Sequence, residues 1–251
     1  MTVLKREELQ QQHDVRLKTT HGIVPALDAD TLDGIAKVVA STTRIEGVVA
    51  YKVGLTATLR LGLEGAIRML RAITDLPLIY DHQKAGPDVP DMAAKFAATC
   101  KAAGADGLIL FPIAGPRAVD EFVGHSHQNR LMPVVGGDLP LPDYNVSGGG
   151  YIADDALGRI FERAIGHGAD HFVVPANVPE KVAAHARTLL ERIDQPTLFL
   201  PGIGALGGSI AAAFAAAKGC RCYAVVGRAI YGAVDPNEAA KQLAGEALKF
   251  A

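Results

Sequence analysis

The feature that most constrains this chain is a repeated pattern: a short β-branched or apolar run, then a turn, then a segment of helical period. Eight such runs occur, at Ile23–Leu27, Val48–Tyr51, Leu78–Tyr80, Leu108–Phe111, Leu131–Val135, Phe172–Val174, Thr197–Leu200 and Tyr223–Val226. Strands alternating with helices favour a parallel sheet joined by crossovers. The segments Thr31–Val39, Met92–Ala103 and Ala153–Ile165 carry apolar residues at helical spacing, and their alanines suit close packing of helix on sheet. With 251 residues, 49% of them hydrophobic, the chain can bury one sizeable core. The expectation is α/β: a single (β/α)8 TIM barrel domain over residues 1–251. The amphipathic N-terminal segment Leu4–Val15 is expected as a helix over the barrel bottom or a partner.

Charge and cysteine usage narrow the function classes. The net charge is −2 with mixed signs and no basic block, which argues against a nucleic-acid footprint or a membrane-surface patch. Cys100, Cys220 and Cys222 give no even disulfide framework, and Cys220-x-Cys222 lacks a second pair at zinc-site spacing. They read as small buried residues in a reducing compartment. The N-terminus has no apolar leader, and no segment is long enough to span a bilayer, so a soluble cytoplasmic protein is expected.

In a barrel of this kind functional groups stand at the C-terminal ends of the strands. Those ends read Asp28, Lys52, Asp81 with Lys84, Pro112, Gly136-Gly137-Asp138, Pro175-Ala176-Asn177, Pro201-Gly202 and Gly227-Arg228. Asp81, Lys84 and Asp88 form the densest group, directly after an apolar run. Carboxylates held close with a lysine between them usually bind metals or move protons. The alternative is a solvated turn opening the next helix, with Asp88 and Asp91 as early acids. His82 and Gln83 inside the cluster face either solvent or substrate, whereas His125, His127 and Asn177 read as solvated or turn residues.

The last two ends suit an anion. Gly202-Ile203-Gly204-Ala205-Leu206-Gly207-Gly208 follows a strand and opens the helix Ser209–Ala217, so its N–H groups and helix dipole can face a phosphate. It also fits G-x-G-x-x-G. The acid expected about 20 residues later in a dinucleotide site is missing, however, and the motif lies at the seventh turn instead of the first. Gly227-Arg228 adds a second backbone approach and a fork of donors, and barrels often bind phosphate after strands seven and eight. Two ordinary glycine turns with a surface arginine are the alternative.

These residues together resemble the orotidine 5'-phosphate decarboxylase family, within the suite that also holds hexulose-phosphate synthases and ketogulonate-phosphate decarboxylases. The likeness is carried by Ala26-Leu27-Asp28, Tyr51-Lys52-Val53-Gly54, the Asp81/Lys84/Asp88 cluster, Leu200-Pro201-Gly202-Ile203-Gly204 and Val226-Gly227-Arg228 with Ile230-Tyr231. Asp235-Pro236-Asn237-Glu238-Ala239-Ala240 resembles the family's final helix. Two departures stand out. The family spaces its cluster Asp-x-Lys-x-x-Asp, whereas this chain reads D-x-x-K-x-x-x-D, and Leu206 stands where members often place a glutamine.

The resemblance implies cofactor-free decarboxylation of a nucleotide monophosphate, orotidine 5'-monophosphate, in pyrimidine biosynthesis, with no metal. It implies Lys84 as the proton donor to C6, flanked by Asp81 and by Asp88 from the neighbouring subunit of a homodimer. Lys52 and Asp28 would complete the charged array on the ribose hydroxyls. Gly204, Gly207, Gly227 and Arg228 would bind the phosphate end, Pro201 would contact the substrate, and Ser147, in the long loop Asp138–Tyr151, would read the pyrimidine. A solvated linker is the alternative for Ser147, beside three glycines. Two other functions compete: a magnesium-dependent hexulose-phosphate synthase or ketogulonate-phosphate decarboxylase, and a non-catalytic phosphate-binding barrel. The absence of an acid near strand two before Glu64 disfavours the magnesium enzymes.

Overall fold

Eight parallel strands close into a ring: β1 (His21–Pro25), β2 (Tyr51–Val53), β3 (Leu78–Asp81), β4 (Gly107–Leu110), β5 (Met132–Val135), β6 (His171–Val173), β7 (Thr197–Pro201) and β8 (Arg221–Val226). The computed structural model describes residues 5, 11–82, 89–204 and 206–251. Hydrogen bonding runs in the order β1-β8-β7-β6-β5-β4-β3-β2. The ends of that order meet through Ile23 N–H to the Gly47 carbonyl (2.8 Å), Val49 N–H to Ile23 (3.1 Å) and Leu27 N–H to Lys52 (2.9 Å). The expected (β/α)8 barrel is therefore the observed architecture.

Helices α1 (Leu32–Thr42), α2 (Leu55–Arg71), α3 (Ala93–Ala102), α4 (Pro116–Gln128), α5 (Ala156–Gly166), α6 (Pro179–Leu190) and α7 (Ile210–Ala216) connect the strands, with the short α8 (Arg228–Tyr231) and α9 (Pro236–Leu248) closing the chain. Their starts follow from local chemistry. The Thr31 hydroxyl accepts from Gly34 N–H at 3.0 Å, and the Asp235 carboxylate accepts from Asn237 and Glu238 N–H just before Pro236. Each cap satisfies amides that the helix leaves without a partner.

Side chains alternate across each strand with period two. Ile23, Tyr51, Val53, Leu78, Tyr80, Leu108 and Leu110 pack outward against the helices. Val24, Ala26, Val49, Ala50, Ile79, Ile109, Phe111, Met132, Val134, Val173, Phe199, Tyr223 and Val225 fill the barrel interior. Residues 11–20 run as turns and bends, and Val15 and Leu17 join this interior cluster. Half of the expected N-terminal helix over Leu4–Val15 falls outside the described residues, and its described part at 11–15 is not helical.

Strand two begins later than the sequence pattern suggests. Val48 and Val49 contact β1 through an isolated bridge and the closing hydrogen bonds, and regular pairing with β3 starts only at Tyr51 opposite Leu78.

Candidate active site

Alternation carries the charged residues to the barrel mouth. Continuing the inward series Val24, Ala26 past the end of β1 gives Asp28; Ala50, just before β2, gives Lys52; Ile79 on β3 gives Asp81. Tyr51 fixes this register from the other face. Its fully buried hydroxyl meets the Thr42 hydroxyl at 2.7 Å, and burial pushes its pKa up to about 12 even though that bond opposes the shift.

The result is a row of three charges. Lys52 Nζ lies 3.0 Å from Asp28 Oδ2 and 2.9 Å from Asp81 Oδ2. The side chains of Lys52 and Asp81 are 12% and 7% exposed, and that of Asp28 36%, so the row is sunk at β3 and open at β1. Burial pulls the Lys52 pKa down, but Asp81 and then Asp28 more than offset this, and the net shift is upward. Asp81 Oδ1 is buried without a hydrogen-bond partner among the described residues. Gly54 makes the row possible: a Cβ there would lie 1.9 Å from Asp28 Oδ1. Lys84 and Asp88, with Gln83, lie outside the described residues.

Strands five to eight present small groups to the same mouth. Gly136 admits the Phe111 ring, whose Cε2 lies 2.7 Å from where a Cβ would stand. After β7, Gly202, Gly204 and Gly207 all take positive φ (95°, 80° and 89°), conformations that favour glycine. The loop closes on itself. Gly204 N–H donates to Gly208, Gly207 N–H to Gly204 and Gly208 N–H to Gly202, at 2.9–3.0 Å. The α7 amides are also engaged, Ala211 N–H by Glu246 and Ala212 N–H by the Ser209 hydroxyl, both at 3.2 Å. In this structure these amides are satisfied within the chain, by the loop's own carbonyls, Ser209 and Glu246. Gly227 and the exposed Arg228 follow β8, which pairs with β1, so the glycine turns and the charged row lie on one continuous arc of the mouth.

The loop after β5 is anchored, not loose. Asp138 is buried, 3.4 Å from Lys181 Nζ, which also donates to Asn145 at 3.2 Å, and the Tyr144 hydroxyl bonds the Gly137 carbonyl at 2.9 Å. Ser147 is exposed, with its hydroxyl on Asp154. The Asp138–Lys181 pair was missed by sequence reasoning. The signal existed: Asp138 follows its strand as Asp28 and Asp81 follow theirs.

Two histidines depart from expectation. His82 bonds the Tyr80 hydroxyl and packs near Phe96, held by aromatic neighbours. His127 is not solvated: burial lowers its pKa to about 4. A groove of about 510 Å³ lies beside the mouth, lined by Pro112, Ile113, Val119, Tyr151, Ile152 and Arg163 among others, and contains none of the charged row.

The model of the "Orotidine 5'-phosphate decarboxylase / HUMPS family" matches residues 22–243. Among curated relatives, the orotidine 5'-phosphate decarboxylase of Methanosarcina acetivorans is 31% identical over 80% of this chain and 84% of its own. That of Methanosarcina mazei is 30% identical over 89% and 94%. The crystal structure of orotidine 5'-phosphate decarboxylase from Pyrococcus horikoshii superposes with TM-score 0.71 at 27% identity, covering 89% of this chain and 98% of that one. The Methanocaldococcus jannaschii enzyme complexed with inhibitor BMP shares the fold at TM-score 0.77 and 24% identity, over 90% and 98%. From the match along nearly the whole barrel, this chain belongs to the orotidine 5'-phosphate decarboxylase / HUMPS family.

Proposed function

We infer that this chain is a carbon–carbon lyase that converts orotidine 5'-monophosphate to uridine 5'-monophosphate and carbon dioxide, a step of pyrimidine biosynthesis. The observation that carries the reading is the Asp28–Lys52–Asp81 row at the mouth of a barrel that belongs to this family. Lys52 already fills the space between the two carboxylates, which supports chemistry by preorganised charge without a cofactor and disfavours a divalent cation there.

In the proposed step the bond from C6 to the carboxylate breaks, carbon dioxide leaves, and the electron pair left at C6 takes a proton from Lys84. Lys84 follows Asp81, the last residue of β3, by three positions in the sequence, which supports placing the donor beside the row. Asp81 and the partner's Asp88 flank it, while Asp28 and Lys52 hold the ribose hydroxyls. Gly204, Gly207, Gly227 and Arg228 take the phosphate end, with Pro201 against the substrate and the glycine loop exchanging its internal hydrogen bonds for those to the anion. Ser147 reads the pyrimidine when its loop closes. Binding energy from the phosphate end, remote from C6, organises this closed state.

The active form is a homodimer with a shared site. Exposed Leu55, Leu59 and Leu61 on α2, with Val89 and Met92 before α3, supply apolar surface on the elements around β3. Among the described residues no helix is long and apolar enough to cross a membrane, and the three thiols are buried and free, which suits a reducing cytoplasm.

The test is loss of orotidine 5'-monophosphate absorbance with and without excess chelator. Chelator-insensitive turnover is expected. Turnover lost with chelator would point to a metal-dependent lyase, and saturable uridine 5'-monophosphate binding without turnover to a non-catalytic barrel.

A further inference from the structure

The end of the barrel opposite the mouth holds a second constellation that the decarboxylase reading does not use. Asp170 and His171 open β6, and His13 reaches them from the segment that precedes β1. All three are buried, and one donor atom from each lies within 4.8 Å of the others. His171 Nδ1 bonds Asp170 Oδ1, and the His13 and His171 rings meet edge to face with centroids 5.3 Å apart. His127, at the end of α4, stands within electrostatic reach of both Asp170 and His171.

His13 is held by its neighbours in the segment. Gln12 packs against Gly168, where a Cβ would lie 2.5 Å from its Oε1. Asp14 pairs with Arg130 at 2.7 Å and Lys101 at 3.7 Å, and Val15 and Leu17 plug the barrel interior. Arg221 donates to the Leu17 and Thr19 carbonyls, and the Tyr223 hydroxyl donates to Thr19 at 2.6 Å. The imidazole is thus placed beside a fully buried carboxylate by contacts on both sides of it.

Removing a carboxylate from water is costly unless a positive charge compensates it. Two imidazole nitrogens and one carboxylate oxygen form a three-ligand set suited to a borderline-soft divalent ion. Tetrahedral bonding at 2.0–2.1 Å sets donor atoms about 3.4 Å apart, so side-chain rotation need close no separation by more than about 1.4 Å. We propose that His13, Asp170 and His171 bind a divalent transition metal of the zinc class, which fastens the N-terminal segment to the start of β6. The fourth position is open to His127 or water. This site is independent of the decarboxylase reading. Its rival is a metal-free imidazolium–carboxylate pair.

The test uses the full chain, stripped with chelator and titrated with zinc chloride in a calorimeter, with the thermal midpoint followed in parallel. One equivalent per chain and a raised midpoint are expected. His13→Ala should weaken binding by more than about 100-fold, because it removes a ligand where even an outer-shell change costs 10- to 100-fold. His13→Gln replaces it if the alanine variant fails to fold. His167→Ala, at the exposed His167–Asp120 pair, should leave binding unchanged. Cobalt loading should give the visible bands of a tetrahedral site. Absence of saturable zinc uptake by the unmutated chain overturns the proposal. So does wild-type affinity in a folded His13 variant, or binding lost only in His167→Ala.

Discussion

At the scale of single residues, the mouth depends on what is missing as much as on what is charged. Gly54 has no side chain where a Cβ would lie 1.9 Å from Asp28 Oδ1, and its φ of −97° is open to any residue. Gly54→Ala therefore displaces a carboxylate without straining the backbone. We expect kcat/KM to fall by about 10- to 100-fold, as misplacement near 1 Å does, with the thermal midpoint nearly unchanged. A large loss of stability with activity intact would contradict this. Lys52 makes a different prediction, because its removal leaves two carboxylates facing each other. Lys52→Met should destabilise by about 3 kcal/mol, the lower end for a broken buried pair because Asp28 is partly exposed. Since the folded pKa is raised above 10.5, this stabilisation is fully present below 10.5 and is lost as pH rises through the folded value. Urea melts should thus show a constant difference between wild type and variant from about pH 6 to 9. A difference that vanishes within that range would show that the Lys52 pKa is not raised.

At the scale of elements, the β5–α5 connection is tied at its root by Asp138 and Lys181. Lys181 is half exposed, so Lys181→Ala should change stability by no more than about 1 kcal/mol. We expect KM to rise by a factor of about 5, the equivalent of roughly 1 kcal/mol of uniform binding, with kcat unchanged. Faster hydrogen exchange across residues 138–151 should accompany it; unchanged exchange would mean that the tie does not order the loop. The strands were legible in the sequence because each is a short apolar run bounded by a turn, and Asp28, Lys52 and Asp81 were legible because they stand where those runs end. Strand two shifted because valine content does not reveal which residues pair with β3 and which only bridge to β1. The closed glycine loop was not legible either, since spacing fixes where glycines fall and not whether Ser209 and Glu246 claim the amides behind them. His13, His127 and His171 converge only through the closed ring, and nothing local marked their approach.

At the scale of the whole molecule, the two ends of the barrel divide the work: charge and glycine turns at the mouth, and a plugged, histidine-lined base. The wall between them is tight enough to silence its thiols. Burial pushes Cys100 and Cys220 up to about 12 and raises Cys222 as well, so Ellman's reagent at neutral pH should label none of the three in the folded chain and all of them after unfolding. Rapid labelling of the native chain would show that the base or helical layer opens. The central claim is that this barrel carries out a decarboxylation completed by proton delivery to C6. Its most direct test is turnover of orotidine 5'-monophosphate in deuterium oxide with excess chelator, followed by NMR, for the unmutated chain and for Lys84→Ala. The prediction is uridine 5'-monophosphate bearing one deuterium at C6 from the unmutated chain, and none formed by a variant that still binds uridine 5'-monophosphate. Undiminished turnover in Lys84→Ala, or no turnover in either protein, would contradict it.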